Sequence, residues 1–319
     1  MITRRQALLA AAFAPLASVA AASQTVTLLI GAKPGSASDA MARAFVPFLA
    51  RQLPRIEFRV VNLPGSTGLA ALQELARAEP TGNVIGWVAT PTLPARMVDH
   101  NADDLLQRIS LVGAVEKEPI AIVSPAATPL NSVQEIVAKA AEDADAVPLG
   151  TPPPGSPPHL AVLRLQVLAG TRLNIIAFPS AAAARQAAIA GNVAAAALGL
   201  SNAIGDLREG RLAGLGIAAM NRADAFPDLP PLRDSGLDLS ALIRRGLAVP
   251  AGVPDAVLSQ LRSALRAAAG DPAFHDLAND GGYSVGWRDS AAWTAEAEDE
   301  CRELAKLWAT EPWLQEGTD

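Results

Sequence analysis

The chain has a single cysteine, Cys301, among 319 residues. A lone thiol forms no intrachain disulfide and builds no zinc centre on thiolates. The three histidines, His100, His159 and His275, lie far apart and show no metal-ligand spacing. Aromatic residues make up 4% of the chain, so aliphatic side chains and alanine have to fill the core. The net charge is −6 and no run of basic residues offsets it, which excludes a nucleic-acid partner. The longest apolar run, Ala7 to Ala22, is interrupted by Pro15 and Ser18 and is too short for a membrane-spanning helix. What the chain does have is a 50% hydrophobic composition over a length that accommodates one large or two medium domains.

Residues 1–22 read as a leader. Arg4-Arg5 precede the apolar run, and Ala20-Ala21-Ala22 offers a small-residue cleavage site before Ser23. The segment resembles a twin-arginine export signal, with Ala7 where phenylalanine is usual, so the general secretory route is the alternative. The mature chain is expected in the periplasm as a soluble monomer without membrane insertion.

The organising stretch is residues 31–39, Gly-Ala-Lys-Pro-Gly-Ser-Ala-Ser-Asp. An apolar strand at 25–30 precedes it, and a helix near 38–53, with Met41, Phe45, Phe48 and Leu49 at helical spacing, follows. Ser36 to Asp39 has the form of a capping box. The first N–H groups of a helix lack intrahelical partners and carry the positive end of the macrodipole, so such a turn suits an anion. The tripeptide Pro-Gly-Ser recurs at 34–36, 64–66 and 154–156, each time between an expected strand and an expected helix. Either these are ordinary capping loops or they converge on one anionic ligand.

Further along, strands are expected at 56–62, 84–89 and 109–115, and a helix near 67–78. A second apolar run, Ile120 to Val123, reads as the crossing into a second lobe. Alternating helices and strands fill 131–218, and Leu247 to Pro250 reads as the return crossing. The tail reads as helix 254–269, helix 272–279, strand 283–286 and helix 289–309. Alternation of this kind implies parallel sheets flanked by helices, with ligands at the carboxyl ends of the strands. The resulting division is 1–22 leader, 23–116 plus 250–319 lobe 1, and 117–249 lobe 2.

One stretch suggests an enzyme. Gly199-Leu-Ser201-Asn-Ala203 approximates a nucleophile elbow, with alanine in place of the last glycine, and His275 follows. No glycine-rich oxyanion segment accompanies it, so the expectation is no enzyme, no cofactor and no metal.

Asn62-Leu-Pro-Gly-Ser-Thr-Gly68, Ala78-Glu-Pro-Thr-Gly82, Gly155-Ser-Pro-Pro-His-Leu-Ala161, Phe226-Pro-Asp-Leu-Pro230 and Ala248-Val-Pro-Ala-Gly-Val-Pro254 follow the 34–39 stretch in order. Together they resemble the Bug-type solute receptors of tripartite tricarboxylate transporters. The resemblance implies a two-lobed α/β periplasmic-binding-protein fold, type II-like, with parallel-rich sheets and an interlobe cleft. The cleft would capture a small organic acid held largely by loop backbone groups and deliver it to membrane transporter subunits, or report it to a sensor protein. The resemblance assigns Lys33, Pro34, Gly35, Ser36, Ala37, Ser38, Asp39, Gly65, Ser66, Thr67 and Thr90 to one wall. It assigns Thr151, Gly155, Ser156, His159, Phe178, Ser180 and Ala181 to the other.

Single residues stay open at this level. Asp39 caps its own helix, Lys33 either meets a ligand carboxylate or is solvated, and His159 makes either a structural hydrogen bond or a ligand contact. The chain departs from the family at Ser36, Ala32 and Ala194, where a glycine, an aromatic and an acidic residue are usual. With Ala194 to Ala197 small and apolar, these departures point to a ligand other than the usual dicarboxylates.

Overall fold

A computed structural model describes residues 24–314; the leader and its cleavage site lie outside the described residues. The first half runs β1 Gln24–Ile30, α1 Ala37–Gln52, β2 Ile56–Asn62, α2 Leu69–Arg77, β3 Val84–Thr90, α3 Thr92–Asp99, α4 Leu105–Arg108 and β4 Ile109–Pro125. There follow α5 Val133–Glu142, β5 Pro148–Thr151, α6 Pro157–Ala169, β6 Asn174–Ala177, α7 Ala181–Ile189, β7 Ala195–Gly199, α8 Leu200–Arg208 and β8 Leu212–Ala218. The chain then returns through β9 Leu242–Pro250 and closes with α9 Asp255–Ala269, α10 Pro272–Asp280, β10 Ser284–Asp289 and α11 Ser290–Thr310.

Successive strand side chains point to opposite faces, and each face meets its own helices. In β1, Leu28 and Ile30 join the core under α1 and α9, while Leu29 joins the one under α2 and α11. In β7, Ala195 and Ala197 face one core of the second half, and Ala196 and Leu198 face the other. Each fully buried leucine, isoleucine or phenylalanine contributes roughly 1.5–3 kcal/mol, and these strands are stable only because both faces are covered. Ala194 to Ala197 are thus interior residues under helices, not a wall of a cleft, and their smallness does not shape a ligand site.

The strand order is β2-β1-β3-β9-β4-β7-β5-β6, with β8 and β10 also paired to β4. Pairing is parallel within each half, β1 with β2 and β3, and β5 with β6 and β7. The central strands are antiparallel: β9 to β3 and β4, and β4 to β7, β8 and β10. The two apolar runs at 109–115 and 120–123 are one 17-residue strand, because Glu116, Lys117, Glu118 and Pro119 continue the ladder against β9. The return strand starts at Leu242 rather than Leu247. Helices α3 and α4 were not expected, since Pro91 and Pro94 obscure the helical pattern of Leu93, Ala95 and Met97.

A third connection joins the halves. Ala95 of α3, Leu160 and Leu163 of α6, Leu304 and Leu307 of α11, and Trp313 form one small core, and Arg164 pairs with Glu300 at 2.6 Å.

Gly246 sits between two strands, opposite Val88 on β3 and Ala114 on β4. A Cβ there would lie 2.6 Å from Ala114 Cα, against backbone that cannot move aside. Gly246→Ala is therefore expected to cost at least about 3 kcal/mol, read as a lower urea midpoint or loss of soluble protein. An unchanged midpoint would contradict this packing.

Candidate functional site

A cavity of about 740 Å3 is bounded by residues of both halves of the sheet, within the rough 300–1,000 Å3 range of small-molecule sites. One wall is the turn between β1 and α1. Ser36 is the N-cap and its Oγ accepts the Asp39 N–H at 3.4 Å. Asp39 Oδ2 accepts the Gly35 N–H at 2.8 Å, and Oδ1 accepts from Asn62 Nδ2 and Arg43 Nε, both at 2.9 Å. Burial alone would raise the Asp39 pKa, but these hydrogen bonds, led by Asn62, hold it below the usual carboxylate range. Asp39 is thus a structural cap beneath the wall and does not line the cavity.

This wiring determines which donors remain. The Gly35 N–H is taken by Asp39, and the Ser36 N–H goes to Lys33 O at 3.1 Å. The Ala37 and Ser38 N–H groups, at the first two positions of α1, have no intrahelical partner, and both residues line the cavity. On the other wall Ser180 caps α7 through the Ala183 N–H at 3.1 Å. That leaves the Ala181 and Ala182 N–H groups, again on residues that line the cavity.

The third Pro-Gly-Ser loop behaves differently. The Ser156 N–H is bonded to Pro153 O at 3.0 Å, and Pro157 and Pro158, which open α6, have no N–H. This wall presents five proline rings, Pro152, Pro153, Pro157, Pro158 and Pro179, more than donors. Gly155 does not line the cavity: it has φ +70°, and a Cβ there would meet the Arg96 guanidinium and lie 2.8 Å from Trp313 Nε1. Any side chain at Gly155 therefore disturbs packing, so the position cannot isolate an electrostatic effect.

The other expected residues divide as follows. Lys33, Pro34, Gly35, Ser36, Thr67, Ser156, Ser180 and Ala181 line the cavity. Gly65, Thr90, Thr151, His159 and Phe178 do not, and the Ser66 side chain lies outside the described residues. Thr90 is buried and accepts from Trp293 Nε1 at 3.1 Å, while Phe178 packs on Gly150. His159 is buried, which pushes its pKa down to about 4 and keeps it neutral near pH 7. Its Nδ1, Thr151 Oγ1 and Ser156 Oγ find no hydrogen-bond partner among the described residues.

The structure adds residues that no motif marked: Trp87, Thr92, Arg185, Asn202 and Arg245 also line the cavity. Arg245 lies on β9 and is 5% exposed. Its Nη1 donates to Glu116 Oε1 and its Nη2 to Glu118 Oε2, each at 2.8 Å. Glu118 Oε1 also accepts the Ser201 N–H at 2.9 Å and the Ser201 hydroxyl at 2.5 Å. Tyr283, with Arg245 over its ring at 5.6 Å, donates its hydroxyl to Ala37 O at 3.1 Å. Besides Lys33, the one cation among the residues expected from the sequence, two guanidinium groups line the cavity.

Residues 43–307 match the tripartite tricarboxylate transporter family receptor. The chain belongs to this receptor family. A UPF0065 protein of Bordetella bronchiseptica is 29% identical over 97% of the chain and 94% of its own length. Among solved structures, MatC of Rhodopseudomonas palustris with bound malate has a TM-score of 0.77 at 23% identity, covering 89% of this chain and 98% of that one. A second R. palustris protein, with adipate, has a TM-score of 0.80 at 19% identity, covering 90% and 96%. The Bug-type resemblance and the periplasmic-binding-protein fold hold, and the receptors of this family are solute-binding proteins, not enzymes.

The receptor's geometry agrees at the one enzyme-like stretch. The Ser201 hydroxyl is spent on a buried carboxylate, and His275, exposed on α10, has its Nε2 at 3.0 Å from Ala269 O. Among the described residues the serine hydroxyl meets Glu118 and Asn202, and no histidine hydrogen-bonds to it.

One guanidinium cannot neutralise two buried carboxylates. Complete burial pushes Glu116 up to about 7, against the pull of Arg245 and with Glu118 adding to the rise; Arg244 lowers it slightly. The folded receptor thus holds a proton that the unfolded chain releases above its ordinary value of 4.5. The stabilisation from this site is full below about pH 4.5 and is lost as pH rises through about 7. Melting temperatures of wild type and Glu116→Gln are expected to diverge between pH 5 and pH 8, with wild type losing ground as pH rises. A pH-independent difference would mean that Glu116 is ionised throughout this range.

Proposed function

We propose that this protein is an extracytoplasmic receptor that captures a small carboxylate-bearing metabolite in the cavity and serves a tripartite tricarboxylate-type transporter. One observation carries the reading. The N-termini of α1 and α7, from opposite halves of the sheet, bring two unpaired N–H groups each to one cavity, and no carboxylate lines it among the described residues. Helix N-termini favour anions through their dipoles and free donors. Charge-assisted hydrogen bonds contribute roughly 1.5–3 kcal/mol each, so a few of them offset the cost of desolvating a carboxylate. Relatives in fold solved with malate and adipate support the ligand class.

We read residues 23–116 plus 250–319 as one lobe and 117–249 as the other. The pairing of Glu118 and Pro119 with Ile243 and Leu242 supports a crossing there, and the pairing of Arg244 to Ala248 with β3 carries that stretch of β9 into the first lobe, ahead of the boundary at 250. Closure would bend β4 and β9 at this point, while the α6–α11 contact limits how far the lobes separate. Residues 1–22 are read as an export leader, consistent with periplasmic receptors of this family. Intact mass of the periplasmic protein is expected to lack about 22 residues; a full-length cytoplasmic product would refute export.

Purified mature protein should melt at a temperature that rises with the logarithm of malate or adipate concentration, since a ligand bound only by the folded state stabilises by mass action. Ala182→Asp provides the charge test. Ala182 is exposed at the second position of α7, where an acidic residue suits the helix. We expect an unchanged melting temperature without ligand but binding at least a hundredfold weaker, about 2.7 kcal/mol, with Ala182→Asn near wild type. Equal binding by Ala182→Asp would refute the helix-terminus site.

A further inference from the structure

Of the two guanidinium groups that line the cavity, Arg185 has the fewer demands on it. It occupies the fifth position of α7, and helical side chains lean toward the N-terminus. Arg185 thus lines the cavity on the same wall as Ala181 and Ala182. The other lining arginine, Arg245, is closed by its two carboxylates. Arg185 is not. Its Nε is buried without a hydrogen-bond partner among the described residues, and its Nη1 makes one long bond, 3.4 Å, to Asn202 O.

The nearest carboxylate is Asp206, whose Oδ2 stands 3.4 Å from Arg185 Nε. That carboxylate is shared: its Oδ1 accepts from Arg211 Nε at 2.6 Å and from Arg211 Nη2 at 2.5 Å, and only Oδ2 stands toward Arg185. Arg211 also pairs with Glu209. Asp206 thus holds Arg185 in place without saturating it. A planar guanidinium with unused donors, facing a cavity free of carboxylates, fits a bidentate anion. Lys33 stands on the opposite wall beside the start of α1. The two walls so each form an anion pole, in a cavity also lined by prolines and Trp87.

We propose that Arg185 pairs directly with a second acidic group of the ligand, and so makes this receptor discriminate organic diacids from monoacids of equal chain length. The proposal rests on the carboxylate reading of the cavity and adds to it the residue that selects the charge. Backbone donors alone would hold one carboxylate at either pole and give no such discrimination. A side chain with a fork of donors does.

The test uses calorimetric titration of the mature protein with two matched pairs, adipate with hexanoate and succinate with butanoate. Within at least one pair, wild type is expected to bind the diacid at least tenfold more tightly than the monoacid. Arg185→Gln should weaken diacid binding at least thirtyfold and leave monoacid binding within threefold, erasing the preference. Arg185→Lys keeps the charge without the fork and should fall between. Melting temperatures without acid should match wild type in both variants, because Arg185 makes only weak contacts. A diacid preference that survives in Arg185→Gln overturns the role of Arg185 and leaves the carboxylate site standing. Monoacids binding wild type as tightly as diacids overturn the discrimination alone. No heat with any of the four acids removes the carboxylate reading and this inference together.

Discussion

The structure turns on one buried guanidinium. Arg245 lies where β9 enters the first half of the sheet, between Glu116 and Glu118 of the strand that leaves it. Removing Arg245 would leave two buried carboxylates without a counter-ion, and breaking a buried pair in this way typically costs roughly 3–5 kcal/mol. The same three groups reach both halves. Glu118 ties the start of α8, through Ser201, to the crossing strands, and Tyr283 beside Arg245 ties them to the first turn of α1. The floor of the cavity is therefore held by a polar network, while its walls are helix starts with donors unspent.

The walls divide the labour between backbone and ring. Where a helix opens on alanine or serine, as α1 and α7 do, free N–H groups remain after the cap has taken its share. Where it opens on two prolines, as α6 does, the first two donors are absent and proline rings take their place. Both kinds of helix start occur at Pro-Gly-Ser or Pro-Ser turns, so similar loops do different physical tasks. The buried, unpartnered Thr151 Oγ1, Ser156 Oγ and His159 Nδ1 behind the proline wall are polar groups that the protein itself does not satisfy.

Much of this was legible from residue patterns. Leu28, Leu29 and Ile30 read as a buried strand because burial on both faces leaves an unbroken apolar run. Met41, Phe45, Phe48 and Leu49 read as a helix because one face is buried. All three Pro-Gly-Ser loops contribute residues to the cavity lining, through Pro34, Gly35 and Ser36, through Pro64, and through Ser156. Helix α3 was hidden by its prolines, and β4 was split because Glu116 and Glu118 look like surface residues until their partner on β9 is known.

Local order, that is strand against helix, cap against interior, was decided by the sequence itself. It depends on side-chain periodicity and on bonds between near neighbours such as Ser36 and Asp39. Which groups face the cavity was decided only by the fold. Arg185 and Arg245 carry no motif, and their charges acquire meaning from Asp206, Glu116 and Glu118, brought close by helix packing and strand pairing. Gly155 reads as a ligand-facing loop residue in one dimension, and Arg96 and Trp313 occupy that space in three. Electrostatics and steric exclusion act through distance in space, which the order of residues along the chain does not contain.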